Sequence, residues 1–336
     1  MSTSALMRQC LAILALGGAV ALSCGSLSEG TQYFVAHAMV LAIFAVGYDL
    51  VFGVGGMLSL GHAAFFGLGS YLFGWLTLEM GWGVLPAMAV AIAGATVLAG
   101  IFGALALRTS GVQLALTTLA LAQLVQIVIE IKLKDHTGGS DGLPGVPRPE
   151  WFGIDFLDSS AFFLLVCAVM TVALLANALL RHSPFGKVLD ASRQNPVRVA
   201  QMGYSVNRYR LAAFMLSGVY AGLAGVLMAS LTMFVGPDSL RWTTSGDILI
   251  MTILGGAGTL FGPVIGVVVF EVIKELGSHF TSHWYGVLGI FFIATTLLMP
   301  GGLIGLVRSV QARLARPRQR SAVVVTTPAD TVKDTP

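Results

Sequence analysis

Most of the chain is a succession of apolar blocks, with polar residues gathered in the short gaps between them. A bilayer-spanning helix needs about 20 mainly apolar residues. Blocks that reach or approach this length fall at about 6–24, 33–53, 61–79, 84–107, 112–131, 161–180, 209–234, 245–259, 263–277 and 284–306. The pattern predicts an all-α polytopic membrane protein of about ten transmembrane or part-spanning helices, with a membrane domain over 1–306.

Two stretches break the pattern. Residues 49–71, DLVFGVGGMLSLGHAAFFGLGSY, hold Gly53, Gly55, Gly56, Gly61, Gly67 and Gly69, with Asp49, Ser59 and His62 among them. Each glycine in a helix interior costs about 0.8–1 kcal/mol relative to alanine. At membrane depth, backbone freed from helical hydrogen bonds is tolerated only against protein or a water-filled cavity. Such a segment is a candidate translocation path rather than a plain anchor. The second stretch is Gly255-Gly256-Ala257-Gly258-Thr259-Leu260-Phe261-Gly262-Pro263, which resembles Gly55-Gly56-Met57-Leu58-Ser59-Leu60-Gly61. Asp49 precedes the first break and Asp247 the second. Paired glycine-interrupted segments in two halves of a transporter point to the pathway, although glycine-rich membrane segments are common. The path candidates are Asp49, Gly55, Gly56, Ser59, Gly61, His62, Gly255, Gly256, Thr259 and Pro263. Ionisable groups at this depth face a bundle interior or a cavity. The structural alternative is that His62 caps a helix start and Asp49 accepts from freed N–H groups.

Composition agrees with the pattern: 56% of the 336 residues are hydrophobic, 10% are charged, and mean hydropathy is +0.84. Soluble domains carry about 25% charged residues. The formal net charge is +3, and of the 19 Lys and Arg, six lie in 181–210 and five in 308–320. Juxtamembrane basic residues mark the cytoplasmic side, a reading preferred here to nucleic-acid binding. With the N-terminus inside, 25–32 falls outside, the 53–60 break reaches the inner half, and Arg108 lies inside. Segment 132–160, with five acidic and three basic residues, falls outside, 181–208 inside and 235–244 outside. If 245–277 were one span, the five-arginine tail would lie outside. A reversal at 255–263 returns the tail to the inside, and Pro263 suits a helix start. The expectation is two short spans there, both termini cytoplasmic, and a basic then polar tail, 307–336, without fixed structure.

Arg8 and the apolar run 11–22 before Ser23-Cys24 have the outline of a signal peptide. The residues before Cys24 fit a lipoprotein site poorly, so a retained first helix is expected. Cys10 and Cys24 lie 14 residues apart on that helix, roughly 21 Å, too far to pair. Both, with Cys167, read as apolar filler. His279 and His283 have i, i+4 spacing, but their neighbours resemble a membrane-edge turn, and no metal site is expected. Segment 137–146, TGGSDGLPGV, is turn chemistry, either a plain external loop or a contact for an external partner.

Residues 183–203 make the strongest site outside the membrane. Ser183-Pro184 and Asn195-Pro196 each read as an N-cap followed by proline at the first helical position, and Gly203 as a C-cap. Two short helices carrying Lys187, Arg193 and Arg198 would form a rigid knob for a soluble partner, or a helix lying on headgroups. The phosphate-binding pattern G-x-x-x-x-G-K-[ST] is absent, since Gly186-Lys187 is followed by Val188. The chain should not bind ATP itself, and no catalytic constellation can be assembled from it.

In combination these motifs resemble a known family. YDLVFGVGGMLSLGHAAFFGLGSYL (48–72), SPFGKVLDASRQNPVRVAQMGYSVNRYRLAAFMLSGVYAGLAGVL (183–227), GGAGTLFGPVIGV (255–267) and MPGGLIGL (299–306) are similar to permease subunits of branched-chain amino acid ABC importers of the LivM type, over about 33–306. The resemblance implies a non-catalytic subunit in a bacterial inner membrane, paired with a second related permease. It implies two ATPase subunits, which would hold the ATP and Mg, and a periplasmic binding protein. This chain would need no cofactor. The coupling site would be Ser183, Pro184, Gly186, Lys187, Arg193, Asn195, Pro196, Arg198, Ala200 and Gly203. One departure is that an acidic residue often follows the arginine of that loop, whereas Arg193 precedes Gln194. A salt bridge from that site is therefore in doubt. Related permeases carry leucine-like and other amino acids, amides or urea. A stand-alone ion-coupled transporter or channel also explains the breaks, but leaves the knob without a task.

Overall fold

A computed structural model describes residues 3–151, 154–280, 284–298 and 301–306. Its architecture is an all-α bundle: α1 (Thr3–Ser23), α2 (Glu29–Asp49), α3 (His62–Leu78), α4 (Val84–Ala106), α5 (Val112–Ile127), α6 (Lys134–Thr137), α7 (Ser159–His182), α8 (Pro184–Gln194), α9 (Pro196–Gln201), α10 (Val206–Thr232), α11 (Trp242–Gly255), α12 (Gly262–Phe280) and α13 (Trp284–Leu298). By length and composition, Leu6–Ser26, Glu29–Val54, Val84–Ala106, Val112–Lys132, Ser159–His182 and Val206–Thr232 suffice to cross a bilayer. The chain is a polytopic membrane protein. The tail after Leu306 lies outside the described residues, as does His283, and nothing is described of the side chain of His279.

Two ends of the bundle can be told apart. At the basic end, Gln9, Arg181, Lys187 and Arg193 surround one cavity with Gly53 and Gly258. At the opposite end, Gln32 donates to the Cys24 carbonyl at 3.0 Å and meets the Ser160 hydroxyl at 3.3 Å. There too, Arg148 donates to the carbonyls of Leu157, Ser230 and Leu231 and lies over the Phe162 ring, tying the 132–158 connection to the end of α10. Residues 143–144 complete this cover by pairing antiparallel with 234–235, Leu143 opposite Val235.

The centre is α2 packed against α10, with α4 and α3 alongside α10. Small residues permit this density. Ala95 and Ala99 of α4 face Gly222 and Gly218 of α10, where an added Cβ would fall 2.6 and 2.5 Å from the two alanine Cβ atoms. Close backbone approach through small residues is how helices associate in lipid, where no hydrophobic force separates helix from tail.

Residues 245–277 do form two antiparallel helices, α11 and α12, reversing at the glycine-rich break. The positive-inside count anticipated this, because it needed one more crossing. The link at 235–244 folds back onto the bundle. Leu240 is fully buried and packs over Gly67 in α3, and the Ser245 hydroxyl accepts from Ala63 N–H at 2.8 Å. The chain re-enters as a short 3-10 turn, Pro237–Leu240, before α11 begins. α11 itself has 14 residues, about 21 Å, less than a full bilayer crossing.

Candidate functional site

The first break begins inside α2. After Asp49 the helix widens into a π-turn, Leu50–Val54, so Gly55 N–H donates to the Leu50 carbonyl at 3.1 Å. Such widenings expose backbone groups and collect at functional sites. Here an exposed carbonyl is taken by a basic residue of α8, and the end of α7 pairs with Asp49 beside it. Arg193 donates through Nη1 to the Gly53 carbonyl at 3.0 Å. Arg181, near the end of α7, forms an ion pair with the fully buried Asp49. Arg181 also donates to the Asn177 side-chain carbonyl, and Asn177 Nδ2 donates to the Val46 carbonyl at 3.2 Å.

Asp49 holds the second break as well. Gly258 N–H donates to Asp49 Oδ1 at 2.8 Å, across 209 residues of sequence. The two glycine breaks therefore touch. A Cβ at Gly53 would collide with both Asp49 Oδ1 and Gly258 N. Asp49, Arg181 and Arg193 form one clasp joining two breaks to the knob. The second break reverses through Gly256 at φ 118° and Gly258 at φ 77°, a region favouring glycine. Thr259 Oγ1 donates to the Gly256 carbonyl at 2.8 Å and accepts from Gly262 N–H at 3.1 Å. Gly255 approaches the Gly262 carbonyl too closely for any side chain, Pro263 sits in the first turn of α12, and Gly302 packs on Gly256.

Beyond Gly55 and Gly56 the chain unwinds to Gly61. Tyr48 donates its hydroxyl to the Ser59 carbonyl at 3.0 Å. Ser59 Oγ accepts from Gly61 N–H at 3.3 Å and lies 2.9 Å from His62 Nδ1. His62 does not cap α3: the cap position is Gly61, and His62 is its first helical residue. The free N–H groups at this buried helix start go to hydroxyls from other helices, Leu60 to Thr118 Oγ1 at 3.1 Å and Ala63 to Ser245 Oγ. His62 is fully buried among Tyr48, Phe65 and Phe214, with centroid distances of 4.8, 5.1 and 5.7 Å.

In the knob, Ser183 accepts from Gly186 N–H at 3.3 Å, Asn195 accepts from Arg198 N–H at 3.0 Å, and Gly203 turns the chain at φ 87°. Gly186 seats α8 against the Leu180 and Arg181 backbone. Lys187 is exposed, and from Arg193 to Ser205 only Val199 is buried, so Pro196, Arg198, Ala200 and Gly203 face outward, with Val197 66% and Met202 68% exposed. Instead of meeting an acidic residue next to it, Arg193 lies 3.6 Å from Asp190 and reaches the break.

Asp247 is not a counterpart of Asp49. It lines a separate cavity at the opposite end, with His37, Glu271 and Lys274. The sequence alone does not single out Arg181, Asn177, Glu271 or Lys274. Three charges inside the apolar block at 263–277, Glu271, Lys274 and Glu275, are the signal that marks the last pair. For Arg181 the signal is the need of Asp49 for a cation at the same depth.

A family model described as branched-chain amino acid transport system / permease component matches residues 30–300. The chain is 28% identical over 305 residues to the high-affinity branched-chain amino acid transport system permease protein LivM of Escherichia coli, covering 84% of this chain and 71% of that one. It is 30% identical over 308 residues to LivM of Salmonella typhimurium, with the same coverage. It is 24% identical over 283 residues to LivH of Escherichia coli, covering 79% of this chain and 91% of LivH. No solved structure matches the chain significantly.

Proposed function

Since the chain belongs to the family of permease components of branched-chain amino acid transport systems, a transport component rather than an enzyme, we propose that it forms half of the translocation path of an ATP-driven importer. The other half would be a second permease of the same family, as similarity to both LivM and LivH supports. Two ATPase subunits would dock on 183–203 at the basic end, which would be cytoplasmic, in a bacterial inner membrane. A periplasmic binding protein would deliver a branched-chain or related amino acid at the opposite end.

One observation carries this reading. The knob does not hang free on the bundle: α8 holds the first break through Arg193 and Gly53, and the end of α7 holds both breaks through Arg181, Asp49 and Gly258. A push on the knob therefore acts directly on the two breaks, whose backbone lacks regular helical bonding. The outward face of α9, with Val197 and Met202 exposed, suits a protein partner.

The test is uptake of labelled leucine into vesicles. The chain with its related permease, the ATPases and the binding protein should transport only with ATP inside the ATPase compartment. The chain alone should transport nothing. Ion-driven uptake by the chain alone would overturn the reading in favour of a stand-alone transporter.

A further inference from the structure

At the end opposite the knob, a cavity of about 380 Å³ opens between α2, α3, α10, α11 and α12. Ligand sites commonly occupy about 300–1,000 Å³. Its floor is apolar, formed by Leu41, Phe66, Ile248, Met251 and Phe270. Its polar wall holds charges of both signs. Glu271 is 4% exposed, with Oε2 3.5 Å from His37 Nδ1 and Oε1 3.5 Å from Lys274 Nζ. The long contact from Lys274 is the ionic partner of the buried Glu271 Oε1, which has no close hydrogen-bond donor. Buried carboxylate oxygens without a donor are rare. Asp247 faces the same space, with Asp238 and the hydroxyls of Ser239 and Thr244 at the rim.

We infer that this cavity is a weak binding site for a free amino acid, with the α-ammonium group held by Glu271 and Asp247, the α-carboxylate by Lys274, and the aliphatic side chain on the Leu41–Phe66–Met251 floor. This rests on the importer reading above and locates its substrate on the face where the binding protein would deliver. A ligand ammonium would give Glu271 Oε1 the close donor that Lys274, at 3.5 Å, does not. With Asp238 paired to Arg241, Glu271 and Asp247 against Lys274 leave an excess negative charge that favours a ligand with a primary amine. Urea and simple amides carry neither charge and are poor ligands here. The site is partly closed and its charges are already partnered in part, so its grip is loose, as a relay needs.

The experiment uses the purified complete transporter, with saturation-transfer NMR in the absence of the binding protein to detect weak ligands, and vesicle uptake with the binding protein and ATP run in parallel. Leucine and leucinamide, which keep the ammonium, should show transfer, and 4-methylpentanoate, which lacks it, should not. Glu271→Gln should abolish transfer from both amines, Glu271→Asp should restore part of it, and Lys274→Met should lose leucine more than leucinamide. Asp247→Asn, at the edge of the cavity, guards against misfolding of the Glu271 variants and should weaken both amines. Normal leucine uptake with no transfer from leucine, or transfer unchanged in Glu271→Gln and Asp247→Asn, overturns the site while leaving the importer reading intact. Failure of the complete transporter to take up any amino acid overturns the importer reading, and the site falls with it.

Discussion

Arg181, next to last in α7, forms an ion pair with the fully buried carboxylate of Asp49, the last residue of α2, across 132 positions of sequence. The same carboxylate receives the N–H of Gly258. One side chain thus closes the end of one helix, neutralises a second and pins the turn between two others. Removing Arg181 strands the Asp49 carboxylate where water does not reach, and removing Asp49 leaves Arg181, 12% exposed, unpaired at the edge of the basic-end cavity.

Loss of one partner from a buried pair costs about 3–5 kcal/mol. Asp49→Ala or Arg181→Met should therefore lower the unfolding midpoint of the purified protein substantially. The double variant Asp49→Ala/Arg181→Met should cost less than the sum of the single changes, because no charge is left unpaired. A double-mutant cycle by thermal unfolding measures the coupling, and simple additivity would show that the pair does not act as a unit.

Arg193→Met removes a different part of the clasp. Its side chain is 46% exposed, so the lost bond to the Gly53 carbonyl should cost only about 1 kcal/mol in stability. Membrane insertion should be normal. The expected defect is functional: ATP hydrolysis continues while leucine uptake per ATP falls. An unchanged ratio in reconstituted vesicles would remove Arg193 from the coupling route.

Gly53→Ala tests the contact between the breaks. Its methyl group would meet Asp49 Oδ1 and Gly258 N, and overpacking of this kind costs about 1–3 kcal/mol. Uptake should fall sharply. Gly30→Ala is the control, since a Cβ there meets nothing within 4 Å and uptake should be unaffected.

The caps of the knob give a graded series. Ser183→Ala and Asn195→Ala should each destabilise the loop helices by about 1 kcal/mol, seen as faster amide exchange in α8 or α9 alone. Gly203→Pro should be more severe, because proline fixes φ near −65° where the chain requires 87°. Exchange and uptake unchanged in all three would mean that knob rigidity is irrelevant.

The caps at 183, 195 and 203 were legible in the sequence because each depends on residues within three positions. The reversal at 255–263 was legible because every additional crossing changes the side on which five arginines fall. The clasp was not, since Asp49, Arg181 and Gly258 meet only through the packing of α2, α7 and α11. Charge counting assigns Arg181 to a side of the membrane and says nothing of its partner. Asp247 misled for the opposite reason. Its position before a glycine run imitates Asp49, but α11 starts inside the bundle after the Pro237–Leu240 turn, which places Asp247 at the other end. His62 resembled a cap because the hydroxyls of Thr118 and Ser245 that serve its helix lie 58 and 182 residues from their partners.

Knob and breaks should move as one body when the ATPases act. Cys10, Cys24 and Cys167 are the free cysteines among the described residues. With these replaced, spin labels on the exposed positions Lys187 in α8, Ala257 in the second break and Ser110 between α4 and α5 report the motion. On ATP binding to the complete transporter, the Lys187–Ala257 distance should stay the same while both distances to Ser110 change. A Lys187–Ala257 distance that changes while Ala257–Ser110 stays fixed would show that the knob moves without the breaks and would contradict the account.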